Sequence, residues 1–415
     1  MYSYIKIFNL FVFILFLVLY SYQIYYTLIG IFRKPKSFTA SNNHKYAVVI
    51  SARNERVVIG QLIQSIKNQN YPQELIDIFV VADNCDDNTA DIAKSFGAIV
   101  YERNNKKLVG KGYALDYIFK IIDRDYKEKG YEGYFIFDAD NILDRNYFFE
   151  MNKLFDNGYK VLTSYRNSKN YNSNWISAGY ALWFLREAKY LNNSRMILNT
   201  SCAVSGTGFL VSNEIIKRNN GWNYHLLTED LEFSVDLLLQ GEKIGYCHKA
   251  KFYDEQPYTF KQSWKQRLRW AKGFYQVFAK DGGNLLVNII KNKSFASFDM
   301  LMTISPALII SFISLLVNTI FFIAVLFKKN NDILLVKASV TLVSNMVNYY
   351  LTLFILGVIT TITEWKEIRA TTMEKILYTF TFPVFIATYI PIAIVALFKK
   401  VEWQPIVHTI VVKNS

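Results

Sequence analysis

Long apolar runs stand at both ends of this chain, and they exceed what a soluble core element needs. The first covers about residues 5–32, and three more cover about 297–327, 333–362 and 376–398. A bilayer crossing takes about 20 apolar residues, so each run is long enough to span. The first is too long for a signal peptide and lacks a small-residue cleavage site. Arg33, Lys34 and Lys36 follow it, against Lys6 alone before it. The positive-inside rule therefore puts the N-terminus outside and residue 33 onward in the cytosol. Segment 283–298 is weakly amphipathic and suits the membrane interface. One span before the middle and three after it would leave the tail outside. A re-entrant or interfacial piece in the first C-terminal run, which contains Pro306, would return 399–415 to the cytosol. The expected layout is an N-terminal membrane helix in 1–36, a soluble unit in 45–281, an interfacial segment with about three membrane helices in 282–400, and an amphipathic tail in 401–415.

The middle reads as α/β. Short apolar strands are expected at 46–51, 75–82, 98–101 and 134–137. Between them, 55–69 places Val57, Val58, Leu62, Ile63 and Ile66 at helical spacing, and 115–122 is helical too. This alternation predicts a mainly parallel sheet with helices on both faces, its functional residues at the carboxyl ends of the strands. Residues 160–281 are mixed, with helices expected at 175–191, 229–240 and 260–278. Cys85, Cys202 and Cys247 make no CxxC pair, which fits a reducing compartment. The four histidines show no zinc-binding spacing. A formal charge of +13 suits anionic lipid or an anionic small substrate. Nucleic acid is not expected, because no basic stripe or finger motif appears outside the membrane flanks.

Four acidic or basic stations carry candidate chemistry. Asp138-Ala139-Asp140 follows the strand at 134–137. Two carboxylates so close repel each other unless a cation neutralises them, and a divalent metal bridging to a diphosphate would do so. The plain alternative is an Asp-rich turn before a helix. Asp83 ends the second strand, where an acidic residue can accept from a ribose or base; a polar turn is the alternative. Ser51-Ala52-Arg53-Asn54-Glu55 follows the first strand in place of a GxGxxG turn, which argues against a dinucleotide dehydrogenase. Glu229 and Asp230 open a helix, either as favourable charges at its dipole or as a base for an attacking hydroxyl. Gln266, Arg269 and Trp270 fall at i, i+3 and i+4 and share a helix face. There they suit a diphosphate and a sugar ring, or else an interfacial belt with Trp264, Arg267 and Lys272.

Taken together and in this order, with apolar spans on both sides, these motifs resemble the membrane-bound family 2 glycosyltransferases. That group includes the synthases of hyaluronan, chitin, cellulose and poly-N-acetylglucosamine. The likeness covers about residues 46–278 and implies a GT-A fold. It implies that Ala52 and Glu55 border the uracil and ribose and that Asp83 meets the base. Lys111, in Gly110-Lys111-Gly112-Tyr113-Ala114-Leu115, matches a segment near the donor. Asp138 would contact the ribose or sugar, and Asp140, with Asp138 beside it, would hold Mg²⁺ or Mn²⁺. Asp230 would be the general base, with Glu229 at its side. Gln266, Arg269 and Trp270 would hold the diphosphate and the acceptor end, with Arg267 on the donor. The turn Ser205-Gly206-Thr207-Gly208 would line the acceptor site through Gly206, Thr207 and Gly208.

The resemblance thus implies an inverting, metal-dependent transferase. Its donor would be UDP-glucose or UDP-N-acetylglucosamine, and its product β-linked. It would be a multi-pass cell-membrane protein with a cytosolic catalytic domain. The leading expectation is a processive polysaccharide synthase, with export subunits as a further expected kind of partner. The alternatives are transfer of a single sugar to a membrane lipid, and a non-catalytic membrane scaffold. Departures from the family pattern are the single N-terminal span and the lack of a cyclic-nucleotide regulatory domain. The tail Val401–His408 would either fold back on the active site or stay solvated.

Overall fold

The computed structural model describes residues 2–305, 307–327, 332–406 and 408–410. An apolar helix α1 (Tyr2–Tyr20) breaks at Ser21 and continues as α2 (Tyr22–Phe32). The chain then builds β1 (Tyr46–Ala52), α3 (Ile59–Lys67), β2 (Ile76–Asp83), α4 (Thr89–Ser95), β3 (Ile99–Arg103), α5 (Lys111–Asp125) and β4 (Gly133–Asp138). β1 lies parallel to β2 and β4, and β2 parallel to β3. Val48–Ile50, Phe79–Val81 and Phe135–Phe137 are wholly buried, as strands covered on both faces must be. α3 buries Ile59, Leu62, Ile63 and Ile66, and α5 buries Leu115, Ile118, Phe119 and Ile122. Both are apolar stripes at helical spacing. The expected helix at 55–69 starts later, because Glu55 and the residues after it form a turn.

The rest of the domain is β5 (Ile142–Leu143), α6 (Tyr147–Asp156), β6 (Val161–Ser168), α7 (Trp175–Arg186), α8 (Asn193–Ile197), β7 (Phe209–Ser212), α9 (Asn213–Arg218), α10 (Glu229–Leu239) and β8 (Ile244–Asp254). A π-helical turn, Glu187–Asn192, joins α7 to α8. The eight strands form one sheet in the order β3-β2-β1-β4-β7-β6-β8-β5. β7 runs antiparallel to both its neighbours, while β6 and β8 pair in parallel. Ser51 pairs with Asp138 and Ala52 with Ala82, so the carboxyl ends of β1, β2 and β4 stand side by side.

After the domain come α11 (Phe260–Asn292), α12 (Phe295–Ile304), α13 (Ala307–Leu326), α14 (Asp332–Thr363), α15 (Thr372–Ala387) and α16 (Tyr389–Phe398). By length and composition, four stretches among the described residues are apolar enough to cross a membrane: Tyr2–Tyr20, Ile309–Leu326, Asp332–Thr363 and Thr372–Phe398. The helix expected at 260–278 continues to Asn292, so 283–298 is not a separate segment. The first C-terminal run divides into α12 and α13; Pro306 itself lies outside the described residues.

The last apolar run is also two helices rather than one. Pro383 withholds a helix donor inside α15, and Arg267 sits at the α15–α16 junction. Its Nη1 donates to Phe385 O (3.1 Å) and Thr388 Oγ1 (2.7 Å). α15 returns along α14, with Thr361 and Thr379 hydrogen-bonded at 2.7 Å. The turn between α14 and α15 rests on the catalytic domain. There Glu364 pairs with Lys189 (3.2 Å) and Glu367 with Lys251 (2.7 Å). At the N-terminal side, Arg195 and Asp299 form a buried two-point ion pair, 2.8 Å at each contact. Tyr22 and Tyr26 of α2 donate to the same carboxylate at 3.0 and 2.8 Å.

Candidate functional site

One continuous cavity of about 510 Å³ opens at the carboxyl ends of β1, β2 and β4 and runs to the start of α2. Ala52, Glu55, Asp83, Lys111, Asp138, Asp140, Gly206, Glu229, Asp230, Gln266, Arg269 and Trp270 all line it. The stations that are separated along the sequence therefore meet in one place.

At the donor end, Asp83 accepts from Arg103 Nη1 (2.5 Å) and Asn84 Nδ2 (3.1 Å). Lys111 pairs with Asp138 and donates to Gly206 O at 2.8 Å. α5 can carry Lys111 there because Gly112 backs onto another strand of chain. A Cβ on Gly112 would stand 2.0 Å from Tyr224 O, so only glycine fits. Asp138 thus shares one carboxylate oxygen with an ammonium and keeps the other free of a protein partner among the described residues. Asp140 is buried and accepts from Glu255 N at 2.8 Å.

Around Asp140 the charges are closely matched. Arg166 grips Asp254 through Nε (2.8 Å) and Nη2 (2.5 Å). The Lys169 ammonium is buried with no hydrogen-bond partner among the described residues, and burial holds its pKa down. No group of three His, Cys, Asp or Glu side chains stands in metal-holding arrangement among the described residues. Asp140 alone still fits a hard divalent cation, which prefers oxygen ligands. A diphosphate arriving there would add negative charge to a corner already balanced, and the cation would offset it.

The tail also reaches this corner. His408 Nδ1 lies 3.0 Å from Glu55 Oε1, and Nε2 lies 4.0 Å from Asp140 Oδ2. Burial opposes charge on the imidazole, but Asp140 and Glu55 overcome it and raise its pKa to about 10. Thr409 N and Ile410 N donate to Glu255 (3.0 and 2.8 Å). The Arg53 guanidinium sits 5.4 Å from the Trp403 ring centre. Of the two expectations for the tail, folding back holds for the residues described.

At the reaction end, Glu229 and Asp230 are the first residues of α10. Burial raises both carboxyls, Glu229 to about 7, and the Asp230 charge adds to the rise of Glu229. Lys111 and Arg269 pull the other way. Gly206 holds φ +75° and leaves space beside Asp230; a Cβ there would lie 3.7 Å from its Oδ2. On α11, Gln266, Arg269 and Trp270 face the cavity, with Trp270 edge-on to Tyr180 and Phe184 at 5.7 and 6.1 Å.

Arg267 also lines the cavity; its Nη1 is bonded at the α15–α16 junction, while Nε and Nη2 are buried with no hydrogen-bond partner among the described residues. Thr207 is buried outside the cavity lining, where it accepts from Asp138 N at 2.8 Å. Gly208 holds φ +66° and packs against Phe252. Sequence reasoning missed Arg103, Arg166, Lys169, Asp254, Glu255 and Glu187. The strand-end positions of Asp254 and Glu255 were the available signal.

A family model described as "Glycosyltransferase like family 2" matches residues 44–273. A probable glycosyltransferase, YdaM, of Bacillus subtilis is 27% identical over 57% of this chain and 56% of its own length. A β-monoglucosyldiacylglycerol synthase of Trichormus variabilis is 24% identical over 62% of this chain and 54% of its own. A poly-β-1,6-N-acetyl-D-glucosamine synthase of Staphylococcus epidermidis is 25% identical, covering 62% of each. The chain thus spans little more than half the length of these curated relatives. Among solved structures, a Pyrobaculum calidifontis mannosyltransferase in complex with GDP-mannose and Mn²⁺ superposes with a TM-score of 0.54. It is 14% identical and covers 93% of this chain and 98% of its own. The fold is therefore GT-A-like.

Proposed function

The chain belongs to the family 2 glycosyltransferases, and from that premise we propose that it transfers a sugar from a UDP-sugar, with inversion, to a hydroxyl held at the membrane surface. The observation that carries this reading is the convergence of Asp83, Asp138, Asp230 and Arg269 on one cavity. UDP-glucose and UDP-N-acetylglucosamine are the donors we favour, on kinship to the synthases above.

Asp230 takes the proton of the acceptor hydroxyl, and the resulting oxygen attacks the anomeric carbon from the face opposite the leaving group. The bond from that carbon to the diphosphate oxygen breaks, and UDP departs. Lys111 and Arg269 meet the charge that develops on it. Asp83 and Glu55 hold the nucleoside, and Trp270 offers its ring to the acceptor sugar or headgroup. A divalent cation, Mg²⁺ or Mn²⁺, would be held by Asp140 and would neutralise charge on the diphosphate.

For the membrane arrangement, we read α1, α13 and α14 as crossings and the α15–α16 pair as lying in the cytosolic interface. The contacts of Glu364 and Glu367 before that pair, and of His408 after it, favour this reading. It puts the catalytic domain and the tail on one side. Kinship to poly-N-acetylglucosamine synthases supports chain elongation as a second reading, which product length on a gel distinguishes from single transfer.

Asp230→Asn tests the mechanism. UDP binding should stay within about twofold of wild type, while transfer falls about 10²–10⁴-fold. Wild-type turnover in that variant would remove Asp230 from the base role.

A further inference from the structure

Glu187 is a carboxylate of the cavity to which the mechanism above gives no part. Its side chain makes no hydrogen bond or ion pair among the described residues. The neighbouring arginines are engaged elsewhere: Arg166 with Asp254, Arg195 with Asp299, and Arg186 with Gln23 Oε1 at 2.7 Å. Burial raises its carboxyl, the three arginines counter that rise, and Asp230 adds to it, so Glu187 lies within electrostatic reach of the base.

Its place in the backbone is also unusual. Glu187 opens the π-helical turn between α7 and α8. Such turns are rare and recur at functional sites.

Beyond Glu187 the cavity ends at Tyr20 and Gln23 on one side and Met302, Thr303 and Ser305 on the other. These residues flank the junction of α1 with α2 and the end of α12, where two apolar helices begin their membrane course. No described residue of α13 or α14 lines the cavity. Its far end is thus lined from the α1–α2 junction and α12, with Phe385, Ile386, Tyr389 and Ala393 of α15 and α16 also on its wall. A carboxylate with free acceptor oxygens receives hydroxyl donors, and with Asp230 nearby it repels an anionic headgroup.

We propose that Glu187 positions the acceptor, and that the acceptor is a membrane lipid with an uncharged, hydroxyl-bearing headgroup entering between the α1–α2 junction and α12. This inference rests on the transfer reading given above.

The test uses the full chain in phosphatidylcholine nanodiscs with or without diacylglycerol or a monohexosyl-diacylglycerol. Glu187→Gln should bind UDP as wild type does. Its KM for the lipid should rise about tenfold or more, because charge-assisted hydrogen bonds are lost, and its kcat should fall less. A photoactivatable diacylglycerol on the wild-type protein should crosslink to residues 20–23 and 302–305, a readout that needs no variant. Wild-type lipid kinetics in Glu187→Gln, or crosslinks confined to other surfaces, would overturn the inference. So would a wild-type protein that extends a soluble oligosaccharide and ignores both lipids. Those outcomes leave the transfer reading standing; absence of UDP release with every acceptor class would remove both.

Discussion

Asp230 and Glu229 are adjacent carboxyls in a buried corner, and neither can ionise without opposing the other. The consequence is a pH dependence of defined sign. A base works only when deprotonated, and a raised pKa keeps it protonated to higher pH. The acid limb of kcat should therefore lie above the usual carboxylate range. Glu229→Gln removes the neighbouring charge and should move that limb to lower pH. A limb that stays at the same pH in a pH–rate profile of this variant would mean that another group sets it. The acidic stations were legible in the sequence because each follows a strand or opens a helix. Arg267 lines the cavity together with Gln266, Arg269 and Trp270, and its bonds to Phe385 and Thr388 are long-range contacts that spacing along the helix does not show. The pairing of Asp138 with Lys111 was not legible in the sequence, since the two residues are 27 positions apart and meet only through the sheet.

The tail from Trp403 to Ile410 is the element whose role depends most on tertiary structure. An amphipathic end reads the same whether it is solvated or docked. What docks it is a charged imidazole meeting Glu55, with Glu255 receiving two backbone donors, and neither partner is near it in sequence. A charge-assisted hydrogen bond of this kind contributes about 1.5–3 kcal/mol. Because the tail shares a wall with Ala52 and Glu55, nucleotide binding should loosen it. Hydrogen exchange over the tail should speed up when UDP is added. His408→Ala should tighten UDP binding by up to about tenfold, as titration calorimetry would read. Unchanged exchange and affinity would show that tail and nucleotide occupy the cavity together.

For the molecule as a whole, hydropathy located the apolar runs but not their course. A span and a bent interfacial pair have the same composition, and 372–398 meets the length criterion for either. Both of its ends lead into contacts with the α/β domain, which favours the interfacial reading proposed above. In a variant with Cys85, Cys202 and Cys247 replaced, Lys366→Cys and Lys400→Cys should both react with an impermeant maleimide in inside-out vesicles and not in right-side-out cells. Labelling of Lys400→Cys from the outside alone would make α15–α16 a crossing and move the tail away from the site.

The ion pair of Arg195 with Asp299, buttressed by Tyr22 and Tyr26, ties α2 and α12 to α8 of the α/β domain. Such a brace works as a depth gauge. On the proposed reading it would set how far above the hydrocarbon Asp230 stands, and an acceptor would have to lift its hydroxyl to that level. Acyl length would then matter little to turnover, and the height of the headgroup would decide which lipids are modified.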